Sequence, residues 1–189
     1  MANHIHMIPG ISVPVYFYNE VQWAKSEKNN AVRTMVSGGA FSMTYLGEKD
    51  LEGNASEDQP YPEYIGKPMI FLGQNLISKT TPEQIQAIAW HEEGHCVLGH
   101  IKQDEALKII IDPRKEVAAD RFAFSKGATK KDLKIGIQKS IQVINETQAV
   151  CKGIPVDHKV TKGMHRVIKT LVTLSPDYWY RLFAMRNYA

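Results

Sequence analysis

The sequence predicts a single α+β domain in which a small sheet comes first and helices follow. Three observations indicate this. The chain has 189 residues, the size of one compact domain. Short runs of β-branched and aromatic residues fill the first 75 residues. After residue 80, capping signals precede apolar residues at helical spacing. A run of strands followed by a run of helices is typical of the α+β class.

Three segments are expected to form the strands of an antiparallel or mixed sheet. Ile11–Tyr18 is rich in β-branched and aromatic residues, and Pro14 favours an edge position. Ala40–Leu46 lies between glycines, and Met69–Leu72 is a short apolar run closed by a glycine. The polar stretch Glu48–Tyr64 between them predicts a surface loop.

The helical half begins with a clear start signal. Thr81 is the expected N-cap, Pro82 occupies the first helical position, and Gln84 can complete a capping box. Apolar residues keep helical spacing from Ile85 to Ile101. This pattern predicts the first long helix of the chain.

Three further helices are expected. The second begins after Pro113 and runs to about residue 126, and the third begins at Thr129. Its apolar stripe from Leu133 to Ile144 is typical of a core face. A fourth spans Val160–Leu174, before a short aromatic segment at 178–188.

Composition and charge exclude several classes of protein. With 43% hydrophobic and 23% charged residues, the chain is neither disordered nor fibrous. A net charge of +3 without long runs of like charge indicates no nucleic-acid or membrane-surface partner. The N-terminus does not resemble a secretory signal, and the two cysteines are expected to be free thiols. Cytoplasmic residence is the default expectation, and packaging into a particle stays open.

One local motif carries chemistry. Residues 91–95 read His-Glu-Glu-Gly-His and fall inside the first long helix. His91 and His95 are four residues apart, so both imidazoles can face one cation, and neutral imidazole suits Zn²⁺. Glu92 lies about 100° further around the helix. From there it can accept a proton from a water that the cation has acidified.

A second acidic pair follows on the next predicted helix. Glu116 lies 21 residues after His95, an interval that accommodates a turn and a returning helix. Glu116 is therefore the expected third ligand, with Asp104, Asp112 and Asp120 as alternatives. Asp120, one turn beyond Glu116, is placed to accept the outer N–H of a ligand histidine.

These residues resemble a known family. His-Glu-x-x-His followed by Glu-x-x-Ala-Asp is similar to the gluzincin zinc metallopeptidases, especially the CAAX-prenyl-protease-like enzymes and the small soluble minigluzincins. Flanking residues agree, namely 81–85, Gly99-His100 and 120–123. The resemblance covers about residues 68–126, a third of the chain. The antirepressor peptidases that cleave phage repressors share part of this layout.

The resemblance implies a zincin-like fold with an active-site helix and a glutamate helix. It implies His91, His95 and Glu116 as ligands of one catalytic Zn²⁺, Glu92 as general base and Asp120 as the partner of a ligand. It also implies a substrate-pairing edge strand, expected at Met69, Ile70, Phe71 and Leu72. A later oxyanion stabiliser is implied as well, with His158, His165, Tyr178 and Arg181 as candidates.

The chain thus divides into three parts of one domain, 1–189. Residues 1–67 are a strand-rich part of unknown role, 68–126 hold the motifs, and 127–189 are helical. The expected activity is zinc-dependent endopeptidase cleavage of a peptide or protein substrate. Alternatives are a catalytically silent zinc-binding structural or assembly protein, a dedicated antirepressor or toxin peptidase, and a cell-wall peptidase. Cys96 and His100 are expected to serve packing, away from the metal face.

Overall fold

The structure is a computed structural model that describes residues 5–28, 30–47, 61–101 and 112–153. These ranges contain a four-stranded mixed sheet and six α-helices, which confirms the predicted α+β class. The predicted helix Val160–Leu174, the aromatic segment at 178–188 and most of the predicted loop at 48–64 lie outside the described residues.

The sheet has the strand order β1–β2–β4–β3. Its strands are β1 (Ile5–His6), β2 (Val15–Tyr18), β3 (Ala40–Thr44) and β4 (Pro68–Gly73). β2 pairs antiparallel with β1 and parallel with β4, and β3 pairs antiparallel with β4. The predicted edge position of Ile11–Tyr18 is therefore wrong. Pro14 precedes the strand, so its missing N–H is not needed, and its carbonyl accepts from the Ile70 N–H at 3.0 Å.

β4 is the buried centre of the sheet. Ile70 and Leu72 pack into one hydrophobic cluster, and Met69 and Phe71 pack into another. This alternation places successive side chains on opposite faces. The Phe71 ring stacks on Phe41 of β3 with centroids 4.9 Å apart. Burial on both faces explains why the strand is a continuous apolar run.

Three short helices lie among the strands: α1 (Glu20–Ser26), α2 (Asn30–Val36) and α3 (Gln74–Lys79). The expectation that the sheet comes first and helices follow it is wrong at α1 and α2, which lie between β2 and β3. Each has seven residues, too few to show a helical period. The carboxylate of Glu20 accepts from the N–H groups of Asn75 and Leu76 at 3.1 and 3.0 Å, and so caps α3 from a distant part of the chain.

The three long helices begin close to the predicted positions. They are α4 (Pro82–Val97), α5 (Pro113–Ser125) and α6 (Lys130–Cys151). Thr81 and Gln84 form the predicted capping box, and Asp112 and Thr129 cap α5 and α6. α4 ends short of Ile101 because Gly99 adopts φ +68° and turns the chain back.

Candidate metal centre

The candidate site lies where α4 and α5 approach each other closely. Gly94 lies at this contact, and a Cβ there would be 3.0 Å from the Ala119 Cα and 3.1 Å from the Phe122 Cβ. A larger residue would meet the backbone of α5, which cannot rotate away. Glycine at this position therefore lets α5 bring Glu116 to the histidines of α4.

Three side chains from these helices form a small triangle, in which one possible ligand atom from each lies within 4.8 Å of the others. Nε2 of His91 lies 3.2 Å from Nε2 of His95. Oε2 of Glu116 lies 3.4 Å from Nε2 of His91, and Oε1 of Glu116 lies 3.3 Å from Nε2 of His95. A tetrahedral Zn²⁺ with bonds of about 2.0–2.1 Å requires ligand atoms about 3.3–3.4 Å apart. The three side chains therefore fit zinc, with one position left for water.

Two of the three alternative carboxylates, Asp112 and Asp120, have other contacts. Asp112 accepts from the Arg114 N–H at 3.0 Å at the start of α5, and Asp104 lies outside the described residues. Oδ1 of Asp120 lies 2.9 Å from Nδ1 of His91, the outer nitrogen of that ring. Both of these side chains are buried. If His91 binds a metal, a carboxylate in this position fixes the tautomer of the ligand histidine.

Glu92 is half-buried beside the triangle. Oγ of Ser42, on β3, donates to Oε2 of Glu92 at 3.0 Å. Ser42 was not predicted, because no local pattern in the sequence marks a hydroxyl 50 residues away along the chain. Only the packing of β3 against α4 brings the two side chains together.

A cavity of about 150 Å³ lies next to Glu92. His91, Glu92, Glu116 and Ser140 form its polar lining, and its apolar lining consists of Ala40, Ile88, Leu133, Ile137 and Ile141. The stripe on α6 that was predicted to be core therefore also lines this cavity.

The expected substrate strand, Met69–Leu72, does not lie at an edge. It belongs to β4, which pairs with β2 on one side and β3 on the other, so its backbone groups are already used. Among the described strands, the edges of the sheet are β1 and β3. The apolar run predicted a strand correctly, but full burial made it an interior one.

Two further residues in or next to the motif, Glu93 and Cys96, contribute to the fold. Glu93 is fully buried and accepts from both the N–H and the hydroxyl of Ser12, at 2.7 and 2.5 Å. Cys96 is buried in the hydrophobic cluster that also contains Ile70 and Leu72, as expected. Burial, with the nearby charges of Glu92 and Glu93, raises the pKa of its thiol to about 12. Both cysteines are free, as expected.

His100 lies at the end of α4, next to His95 rather than on the metal face. Its Nδ1 is 3.1 Å from Nδ1 of His95. Burial lowers the pKa of His100, and the nearby charge of Lys115 adds to this effect. The four oxyanion candidates, His158, His165, Tyr178 and Arg181, lie outside the described residues.

Comparisons with family models, with curated proteins and with solved structures find no match for this chain. Among the described residues, no helix is both long and apolar enough to cross a membrane. The case for a function therefore depends on the residues of the site.

Proposed function

We propose that this protein is a zinc-dependent endopeptidase with a gluzincin-type site on a zincin-like fold. The observation that carries the proposal is the triangle of His91, His95 and Glu116 with Glu92 beside it. Two imidazoles and one carboxylate with an open fourth position are typical of catalytic zinc sites. When bound there, Zn²⁺ would polarise a carbonyl group and acidify a water molecule.

The remaining steps belong to side chains of this protein. Glu92 acts as general base toward the attacking water and then delivers the proton to the leaving amine. The hydrogen bond from Ser42 orients the Glu92 carboxylate. Asp120 accepts the Nδ1 proton of His91 and keeps its Nε2 directed at the cation.

The surroundings support an extended peptide or a protein segment as substrate. β3 is an edge strand next to the site, and an edge strand can pair with an extended peptide through its backbone groups. The adjacent cavity has apolar walls from α6 and suits one apolar side chain of that peptide. We therefore place the substrate along β3, not along β4.

The proposal is tested with Glu92→Gln, which preserves the shape of the side chain and removes its basicity. We expect the variant to retain one zinc ion per chain and to cleave a peptide library about 10²–10⁴-fold more slowly than the parent. Glu83→Gln, an exposed glutamate on the same helix, is the matched control and should cleave normally.

Two outcomes would contradict the proposal. Equal cleavage by Glu92→Gln and the parent would exclude Glu92 as the base. Stoichiometric zinc in a parent protein that cleaves neither casein, peptide libraries nor cell-wall fragments would instead favour a silent zinc-binding protein.

A further inference from the structure

The end of α4 places a third histidine behind a candidate ligand. The Gly99 N–H donates to the Cys96 carbonyl at 3.3 Å, and the His100 N–H donates to the His95 carbonyl at 2.9 Å. With Gly99 at φ +68°, these two bonds form a Schellman motif. The motif folds the chain back, and the rings of His95 and His100 meet with centroids 5.1 Å apart.

The two candidate histidine ligands are oriented in the same way. Each directs Nε2 toward the other and toward Glu116, so each directs Nδ1 outward. Nδ1 of His91 meets Asp120 at 2.9 Å, and Nδ1 of His95 meets His100 at 3.1 Å. Both outer nitrogens thus have a partner at hydrogen-bonding distance, one anionic and one an imidazole.

The proton positions follow from the chemistry of imidazole. A neutral histidine that binds a cation through Nε2 carries its proton on Nδ1. His95 must then donate from Nδ1, so the facing Nδ1 of His100 must accept, and the proton of a neutral His100 lies on its own Nε2.

We propose that His100 is a positioning residue for metal binding: it accepts the Nδ1 proton of His95 and holds that ring with Nε2 toward the cation. This inference rests on the proposed zinc site. It makes the two ligands unequal, because Asp120 places a negative charge behind His91 whereas His100 places a neutral acceptor behind His95.

The first measurement is the zinc affinity of three variants, by competition with a chelator. We expect His100→Phe to bind zinc about 10–100-fold more weakly, and His100→Asn, whose Oδ1 can replace the accepting nitrogen, to stay within about threefold of wild type. His6→Phe, the same change on β1 at the opposite edge of the sheet from β3, should bind zinc normally.

The second measurement distinguishes positioning from packing and requires no variant. In zinc-loaded, ¹⁵N-histidine-labelled protein, a hydrogen bond between these rings produces a scalar coupling between the two Nδ1 nuclei. We expect this coupling in wild type. Absence of the coupling, or normal zinc affinity of a folded His100→Phe, would overturn the inference and leave the zinc site standing. A wild-type protein that binds no zinc would overturn the proposed function, and the inference with it.

Discussion

At the scale of single residues, two adjacent glutamates of α4 have different environments. Glu92 is half-buried, contacts Ser42 and lines the cavity beside the candidate metal centre. Glu93 is fully buried and binds Ser12, which precedes β2. The two residues are of the same type, but the helix turns about 100° between them, so only one can face the candidate metal centre.

Glu93 is expected to stabilise the fold without serving the site. Glu93→Ala leaves the Ser12 N–H without its acceptor and should lower the free energy of unfolding by about 1–3 kcal/mol in urea titrations. Glu93→Gln keeps one acceptor oxygen and should lose less stability than Glu93→Ala. Zinc affinity should change little in either variant. Unchanged stability of Glu93→Ala would show that the Ser12 contact contributes nothing.

Tyr18 is expected to make stability depend on alkaline pH. Its hydroxyl donates to the Val36 carbonyl at 2.8 Å, and burial, followed by the charge of Glu20, raises its pKa well above 10.0. The folded state therefore holds the proton more tightly than the unfolded state, so this stability is complete below pH 10 and declines as the pH rises further.

The measurement compares wild type with Tyr18→Phe in urea titrations across this range. The stability advantage of wild type, about 1–2 kcal/mol at neutral pH, should shrink above about pH 10. Subtracting the free energy of unfolding of Tyr18→Phe from that of wild type removes the contribution of other groups that titrate in this pH range. A difference independent of pH would contradict the expected role of Tyr18.

At the scale of secondary-structure elements, the sequence predicts those features that depend on residues close together along the chain. The starts of α4, α5 and α6 were predicted because their caps at Thr81, Asp112 and Thr129 or the adjacent prolines are local signals. α1 and α2 were missed because helices of seven residues show no period. The interior position of β4 was missed because strand order depends on pairing between distant segments.

The features of the candidate site also divide into those that the local sequence predicts and those that depend on packing. The spacing of His91 and His95, and of Glu116 and Asp120, follows from the period of one helix and was predictable. Ser42, the apolar wall from α6 and the contact of His100 with His95 depend on packing or on a helix end, so the periodic pattern did not reveal them. Gly94 belongs to both groups. It lies within the motif, and its small size sets the distance between α4 and α5.

Gly94→Ala is expected to disturb the metal centre through the spacing of α4 and α5. The new methyl group would lie 3.0 Å from backbone of α5, which must move outward and carry Glu116 with it. We expect zinc affinity to fall about tenfold or more. Gly136→Ala on α6 is the control: its methyl group would meet the Ile88 side chain at 2.7 Å, so stability should fall while zinc affinity changes less. Equal zinc affinities of Gly94→Ala and wild type would contradict this role of Gly94.

At the scale of the whole molecule, the proposed zinc ion would join two helices that the chain connects through a long segment. Its ligands come from α4 and α5, and α4 also packs against the sheet and α6. The ligand triangle forms only in the folded state, so zinc should bind the native protein far better than the unfolded chain. Binding of this kind stabilises the fold by mass action.

Zinc is therefore expected to raise the melting temperature of the whole domain. At a free zinc concentration 100 times the dissociation constant, the stabilisation is about 2.7 kcal/mol, which corresponds to roughly 5–11 °C for a chain of this length. Glu92→Gln retains all three ligands and should show the full shift in calorimetry, whereas Glu116→Ala should lose most of it. A full shift of the melting temperature in Glu116→Ala would exclude Glu116 as the third ligand. Zinc would then stabilise the protein equally well without this carboxylate.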